Sequence, residues 1–385
     1  MNNVILFDGA AWNTLRPLTL TRPTSDCQVG IRTIRQKWEG YLQGNYSILT
    51  KDYLSSIFPT HWTEDNLMIN GAALPNPSLI ANVNNLKANQ ALVDHGEIIA
   101  FRYSGDQLTM DDVQSAVGNF EKIEVATDLI TYPEAIINFC DQEYRKDYGS
   151  ITANRTSQPI DTSVKTRGDQ IFIEEGAKVY DCILNATEGP IYIGRDAEIM
   201  ENAVVKGPVG IGDNCTVHVS SKIYAHTMLG PWTKIGGEVK RSTIFGYSNK
   251  AHDGYLGDSV IGKWCNMGAD TNNSNMKNTY GMVSLWDMTS EKYRVTDRQF
   301  LGLIMGDHTM CAINTAFMTG SVTGVFANVF GQAPNRWTPP FTWGSADADY
   351  NVDRAITVAE RAQSRRKITT SEDYKTVLRH IANQS

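Results

Sequence analysis

The sequence predicts an α/β N-terminal domain, then a parallel β-helix, then a helical C-terminal arm. Three patterns carry that expectation. First, Ile193, Ile199, Val205, Ile211, Val217, Ile223, Leu229 and Ile235 are aliphatic and all six apart. Four residues after each comes a small or β-branched partner: Ala197, Ala203, Val209, Cys215, Ser221, Thr227, Thr233 and Val239. Neither a helical period of 3.6 nor a strand period of 2 gives a strict six, whereas short strands separated by tight corners do. Second, the first 150 or so residues alternate short apolar runs with amphipathic stretches. Third, residues after about 347 carry helical spacing.

Within 1–150, Val4–Phe7 reads as a buried strand and 8–26 as a polar loop. In Val29–Leu42 the apolar residues Ile31, Ile34, Trp38, Tyr41 and Leu42 have helical spacing. Tyr46–Leu49 and Asn66–Asn70 read as strands, and 124–148 as a segment with a helix running through Tyr144. Residues 151–168 are polar and rich in Ser and Thr, the composition of a linker. The β-helix is expected over 169–333. Its frame slips after Ile235 and is expected to resume through Phe245, Leu256, Ile261 and Met267. That spacing implies a one-residue deletion at a corner. The repeat is lost from Asn272 to about Phe300, which reads as a protruding loop or hairpin. It returns with Met305, Cys311 and Phe317 and ends by about Gly331. Residues 334–385 begin with the irregular NRWTPPFTWG. A helix is expected from Asp347 to Ser385, with a cap at Ser371 ahead of Glu372 and Asp373.

The 385 residues carry 35 Lys+Arg against 42 Asp+Glu and no long basic run, so nothing points to nucleic acid. No apolar stretch reaches transmembrane length, and the N-terminus lacks the marks of a signal peptide, so no membrane is expected. The six cysteines form no CxxC pair, and Cys215 and Cys311 fall on interior repeat positions. Buried free thiols fit a reducing, cytoplasmic setting.

A tube filled by its own side chains must bind ligands outside. The polar residues that cluster where the frame is disturbed are therefore the candidates, above all KAHDGYLGDSVIGKWCNMGADT (250–271) and the following NNSNMKNTYG. These segments resemble the KAxHLxYLGDxxIGxxxNxGAGT motif and the TxCNYDG loop of the bifunctional GlmU-type enzymes. Those enzymes join a glucosamine-1-phosphate acetyltransferase to a uridylyltransferase and make UDP-N-acetylglucosamine. The resemblance covers the whole chain and is strongest over about 230–280. It looks closest to a shorter, divergent branch.

The resemblance implies a left-handed β-helix, a homotrimer, acetyl-CoA as donor and an amino-sugar-1-phosphate as acceptor. It also implies a role for an NTP at the N-terminal domain. His252 falls on the catalytic histidine, and an imidazole with an ordinary pKa near 6.5 suits a general base. Tyr255 and Asn275 fall on sugar-holding positions. Lys250, with either Lys240 or Arg241, is expected at the sugar phosphate, and a backbone N–H near Ala269 at the thioester oxyanion. The basic start of the tail, Arg354, Arg361, Arg365, Arg366 and Lys367, is either a solvated helix face or a contact for coenzyme phosphates.

There are departures. HLxY reads HDGY, GAGT reads GADT, and the family's serine beside the acyl donor falls on Ile313. In the N-terminal domain only Leu15–Thr19 of the family's GxGTRLxPxT phosphate loop survives. Arg16 and Arg22 are the remaining candidates for nucleotide phosphates. The family's metal-binding Asp falls on Ala72, so magnesium is expected only if this domain is active. Three other readings stay open: nucleotidyl transfer alone with the β-helix as an oligomerisation platform, a non-catalytic sugar-nucleotide-binding protein, and a zinc hydro-lyase. His218, His226, His252 and His308 lack the pair five apart that the last requires.

Overall fold

A computed structural model of the chain describes residues 2–330, 335–344 and 350–384. The expected β-helix end at Gly331 and the helix limits at Asp347 and Ser385 lie outside the described residues.

The N-terminal domain is built on six strands: β1 (Asn2–Phe7), β2 (Gly44–Leu49), β3 (Asn66–Asn70), β4 (Gln90–Asp94), β5 (Glu97–Tyr103) and β6 (Glu121–Glu124), in the order β2-β1-β3-β5-β4-β6. β1 pairs parallel with both β2 and β3, and β5 runs antiparallel to β3 and β4. Both sheet faces are covered, which explains the continuous apolar run of β1. Val4 and Leu6 enter one cluster, and Ile5 and Phe7 the other.

The helix expected over Val29–Leu42 is shorter. Gln28–Val29 pairs back on Arg32–Thr33, and α1 covers Ile34–Tyr41. Thr33 and Gln36 form a reciprocal capping box that fixes this start. Helices α2 (Pro77–Asn85) and α3 (Pro133–Thr152) complete the domain.

Parallel strands then stack in three sheets, the walls of a left-handed β-helix. Nine strands from Ile171–Ile173 to Trp337–Thr338 make face A, and eight from Lys178–Val179 to Asn328–Val329 make face B. Six from Lys165–Arg167 to Tyr255–Gly257 make face C, continued by Asn272–Asn273 and Ala316–Phe317. The aliphatic series fills the interior as one cluster. Corners are made by residues with positive φ, among them Asp196, Asn202, Asn214, Ser220 and His226. Asn, Asp and His tolerate that conformation best among residues with a Cβ.

Four expectations need correction. Lys165–Arg167 already pairs with Ile183–Asn185, so the first coil begins inside the polar segment read as a linker. The frame slip is larger than one residue. Val209 pairs with Thr227, eighteen residues on, but Leu229 pairs with Ile244, only fifteen on. The tube position therefore belongs to Ile244. Phe245 lies outside, packed with the N-terminal domain and under the Arg22 guanidinium. The lost-repeat segment contains the antiparallel hairpin Ser284–Asp287/Lys292–Val295, which docks on the N-terminal domain instead of protruding. Arg294 pairs there with Glu134 and lies over the Tyr132 ring. Finally, NRWTPPFTWG is partly regular: Trp337–Thr338 adds the last strand of face A.

The tail forms α4 (Val352–Ser364) and α5 (Glu372–Asn383). Ser371 caps α5 by accepting from the Tyr374 N–H at 3.1 Å. Ala355, Ile356 and Ala359 of α4 and Val377, Leu378 and Ile381 of α5 pack with Phe326 and Phe341 at the far end of the tube. No helix among the described residues is long and apolar enough to cross a membrane.

Candidate active site at the corner between faces B and C

Register explains the site. On face B, Ile235 pairs with Lys250, and Met267 with Cys311. Asn249 pairs with Asn266, so His252 and Ala269 occupy the same corner position in neighbouring coils, and Ile313 follows in the next. Parallel coils put these residues about 4.8 Å apart per step. His252 is exposed there, and Ala269 is half-buried. Ala269 offers its carbonyl to the Asn314 N–H at 2.8 Å. Its own N–H donates to no acceptor among the described residues. Ile313, on the family's serine position, is 67% exposed.

On the face B side, His252 opens onto a cleft of 480 Å³. Lys234, Asn249 and Asn266 project from the β-helix wall of this cleft. The opposite wall is α4 and the residues just after it, with Arg361, Arg365 and Arg366. The buried residues of α4 are Ala355, Ile356, Ala359 and Gln363, which leaves these guanidinium groups for the cleft. Burial, with Lys234 and His252 close by, holds the His218 imidazole below its ordinary value.

Face C carries the second half. Asp258 is fully buried at the corner beyond Tyr255–Gly257 and organises its surroundings. Its carboxylate accepts from the Asn275 amide at 2.7 Å and pairs with the Arg241 guanidinium at 2.8 Å. The same amide donates to the Tyr255 hydroxyl at 3.0 Å. Burial, with the Asp258 carboxylate next, raises the Tyr255 phenol above its ordinary value, so it stays a neutral donor and acceptor. The Tyr255 ring lies over Gly257, where a Cβ would stand 2.3 Å from its hydroxyl. Tyr255, Asn275 and Arg241 are thus brought together, with His252 at the adjoining corner. Lys240, the last residue of the face C strand Glu238–Lys240 and next to Arg241 in the chain, is exposed. Asp258 was not among the expected site residues. Its signal was a carboxylate at a corner position within YLGD.

Three expected site residues are placed elsewhere. Lys250 occupies the tube position held by Ile235 one coil before, and is 3% exposed. Its ammonium donates to the His252 carbonyl at 2.5 Å. The misplaced frame at Phe245 had hidden this interior position. Arg22 is 3% exposed and forms an ion pair with Asp307 of the β-helix, which also accepts from the Thr21 hydroxyl at 2.8 Å. Arg16 donates to the Met288 carbonyl at 3.1 Å and the Thr289 hydroxyl at 3.2 Å, on the inserted hairpin. Both arginines thus contact residues of the β-helix half of the chain.

The magnesium set fits no better. Ala72 is buried at the end of β3, and Asp8 spends its carboxylate on the Thr24 N–H at 2.8 Å and the Thr50 hydroxyl at 2.6 Å. Among the described residues no group of three His, Cys, Asp or Glu side chains could hold a metal. The histidines considered for zinc are dispersed: His308, for instance, is buried against Phe326 and bonded to the Tyr374 hydroxyl at 2.9 Å. All six cysteines are buried and free.

Comparison with known proteins agrees with this architecture. Residues 4–156 match the sugar nucleotidyl transferase family model. A bifunctional sugar-1-phosphate nucleotidylyltransferase/acetyltransferase of Sulfurisphaera tokodaii is 33% identical over 180 residues, 46% of this chain and 44% of that one. The bifunctional protein GlmU of Methanocaldococcus jannaschii is 35% identical over 104 residues, 26% of this chain and 25% of its own. That of Synechococcus elongatus is 30% identical over 145 residues, 33% and 30% of the two chains. The match therefore spans less than half the length of each of these relatives. With a sugar nucleotidyl transferase match joined to stacked hexapeptide coils, the chain is similar in arrangement to the GlmU-type bifunctional proteins.

Proposed function

We propose that the protein transfers an acetyl group from acetyl-CoA to the amine of an amino-sugar-1-phosphate, such as glucosamine 1-phosphate. One observation carries the reading: His252 stands exposed at a corner with an arginine-rimmed cleft on one side and the Tyr255–Asn275–Arg241 group on the other. The donor lies in the face B cleft, where Arg361, Arg365 and Arg366 meet its phosphates. The sugar lies on face C. Tyr255 and Asn275 hold its hydroxyls, because phenol and amide both donate and accept. Arg241 meets the phosphate. Asp258 orients it through Nε, which leaves the terminal nitrogens as a fork for a phosphate. Lys240, next to Arg241 in the chain, adds charge.

In the reaction the His252 imidazole takes a proton from the amine. The nitrogen lone pair attacks the thioester carbonyl, and the oxyanion is met by the Ala269 N–H. The C–S bond then breaks, and the sulfur leaves with the proton from the imidazolium. The products are an N-acetyl sugar phosphate and free coenzyme A. No covalent enzyme intermediate is needed.

A second reading, nucleotidyl transfer from an NTP with magnesium, is favoured by the family match over 4–156. The docked Arg16 and Arg22 oppose it. The family suggests a homotrimer and a cytoplasmic setting. A thiol-release assay with acetyl-CoA and glucosamine 1-phosphate, beside pyrophosphate release with UTP or dTTP, separates the readings. Thiol release unaffected by chelator is the expected result. Pyrophosphate release alone would overturn it.

A further inference from the structure

Where face A turns into face B, one corner position recurs in every coil, always with positive φ; after Gly176 its occupants are Asp196, Asn214, Trp232, Tyr247, Trp264, His308, Phe326 and Phe341. The first two are the residue types that tolerate this conformation. The last six are ring residues, and for all of them except His308 it is unfavourable. Packing accounts for part of the change. His308, Phe326 and Phe341 are buried and stack on one another beneath α4 and α5.

The remaining three rungs are only half-buried. Tyr247 stacks on Trp264 with centroids 4.4 Å apart, and both line the cleft that holds His252. Among the described residues no ring covers the outer face of Tyr247. The next rung, Trp232, meets the Arg366 guanidinium instead, 5.3 Å from its ring. A flat aromatic face beside a run of arginines has the chemistry for a heteroaromatic base carrying phosphates. Tyr247 and His252 lie five residues apart along one wall of the tube, about 16 Å in extended chain. That is the reach of an extended pantetheine arm.

We propose that the Tyr247–Trp264 rung is the stacking platform for the purine of the acyl donor. Arg361, Arg365 and Arg366 take the nucleotide's phosphates, and the thioester reaches the His252 corner. This rests on the acetyl-transfer reading and adds a specificity site for the base.

The test titrates adenosine 3′,5′-bisphosphate into the full chain by calorimetry. Stacking of one base predicts that Tyr247→Leu weakens binding by about tenfold or more. Tyr247→Phe should keep it, and an unchanged thermal melt controls for folding. In thiol-release assays Tyr247→Leu should lose most of the preference for acetyl-CoA over acetyl-pantetheine. No binding by the wild type, or equal binding by Tyr247→Leu, overturns the proposal. Bisphosphate binding without thiol release would keep the platform and refute acetyl transfer. Thiol release with an unaltered donor preference in Tyr247→Leu would refute the platform alone.

Discussion

Replacing Lys250 by methionine should make the protein more stable and less active. The side chain sits where the neighbouring coils carry Ile235 and Met267, inside an apolar tube. Burial pulls its ammonium down from 10.5 to about 8. The folded value lies below the unfolded one, so the unfolded chain binds more protons between about pH 8 and 10.5. Stability therefore rises with pH across that window, and the penalty is fully present below pH 8. The gap corresponds to on the order of 3 kcal/mol. Methionine removes the penalty but leaves the His252 carbonyl without its donor, a loss of about 1 kcal/mol. The net gain at pH 7 is about 2 kcal/mol, a rise of about 2–3 °C in Tm for a chain of this length.

Scanning calorimetry of both proteins at pH 7 and pH 10 reads this directly. The advantage of Lys250→Met should shrink as the wild type loses its buried charge. In thiol-release assays the same variant should be slower, because its His252 corner is no longer tied. A Tm that falls, or an advantage that does not change with pH, would refute the account of Lys250 as a buried cation anchoring the corner.

Three further outcomes are expected. Arg22→Met or Asp307→Leu alone should cost about 3–5 kcal/mol in urea unfolding, since each strands the other's buried charge, while the double variant should recover most of it. Gly257→Ala should push the Tyr255 ring off face C and raise KM for the sugar phosphate by about three- to tenfold, the worth of one hydrogen bond, with little change in Tm. Ellman's reagent should find no reactive cysteine before unfolding, because all six thiols are buried and burial pushes Cys27, Cys140 and Cys215 up to about 12.

The tube was legible because each coil repeats the same local demand: an aliphatic side chain inward, then a corner. His252, Tyr255 and Asn275 stood out by the motif they share with GlmU-type enzymes. What escaped reading depended on partners far away in sequence or on small frame shifts. Arg22 looks like a phosphate ligand until Asp307, 285 residues on, is placed beside it. Lys250 looks like a surface residue if the frame passes through Phe245, and an interior one if it passes through Ile244. The cleft arginines were visible as a basic tail, but only docking of α4 sets them opposite His252. The aromatic corner column was present in the sequence at one residue per coil. It was missed because it follows the wall, not the core.

In the proposed reaction His252 is the base that deprotonates the accepting amine between the two half-sites. The most direct measurement is thiol release from acetyl-CoA with glucosamine 1-phosphate by wild type and His252→Ala, with melts confirming equal folding. A positioned general base is worth about 10²–10⁴ in rate, so kcat should fall by that factor with KM for acetyl-CoA little changed. Undiminished thiol release by His252→Ala would contradict the claim.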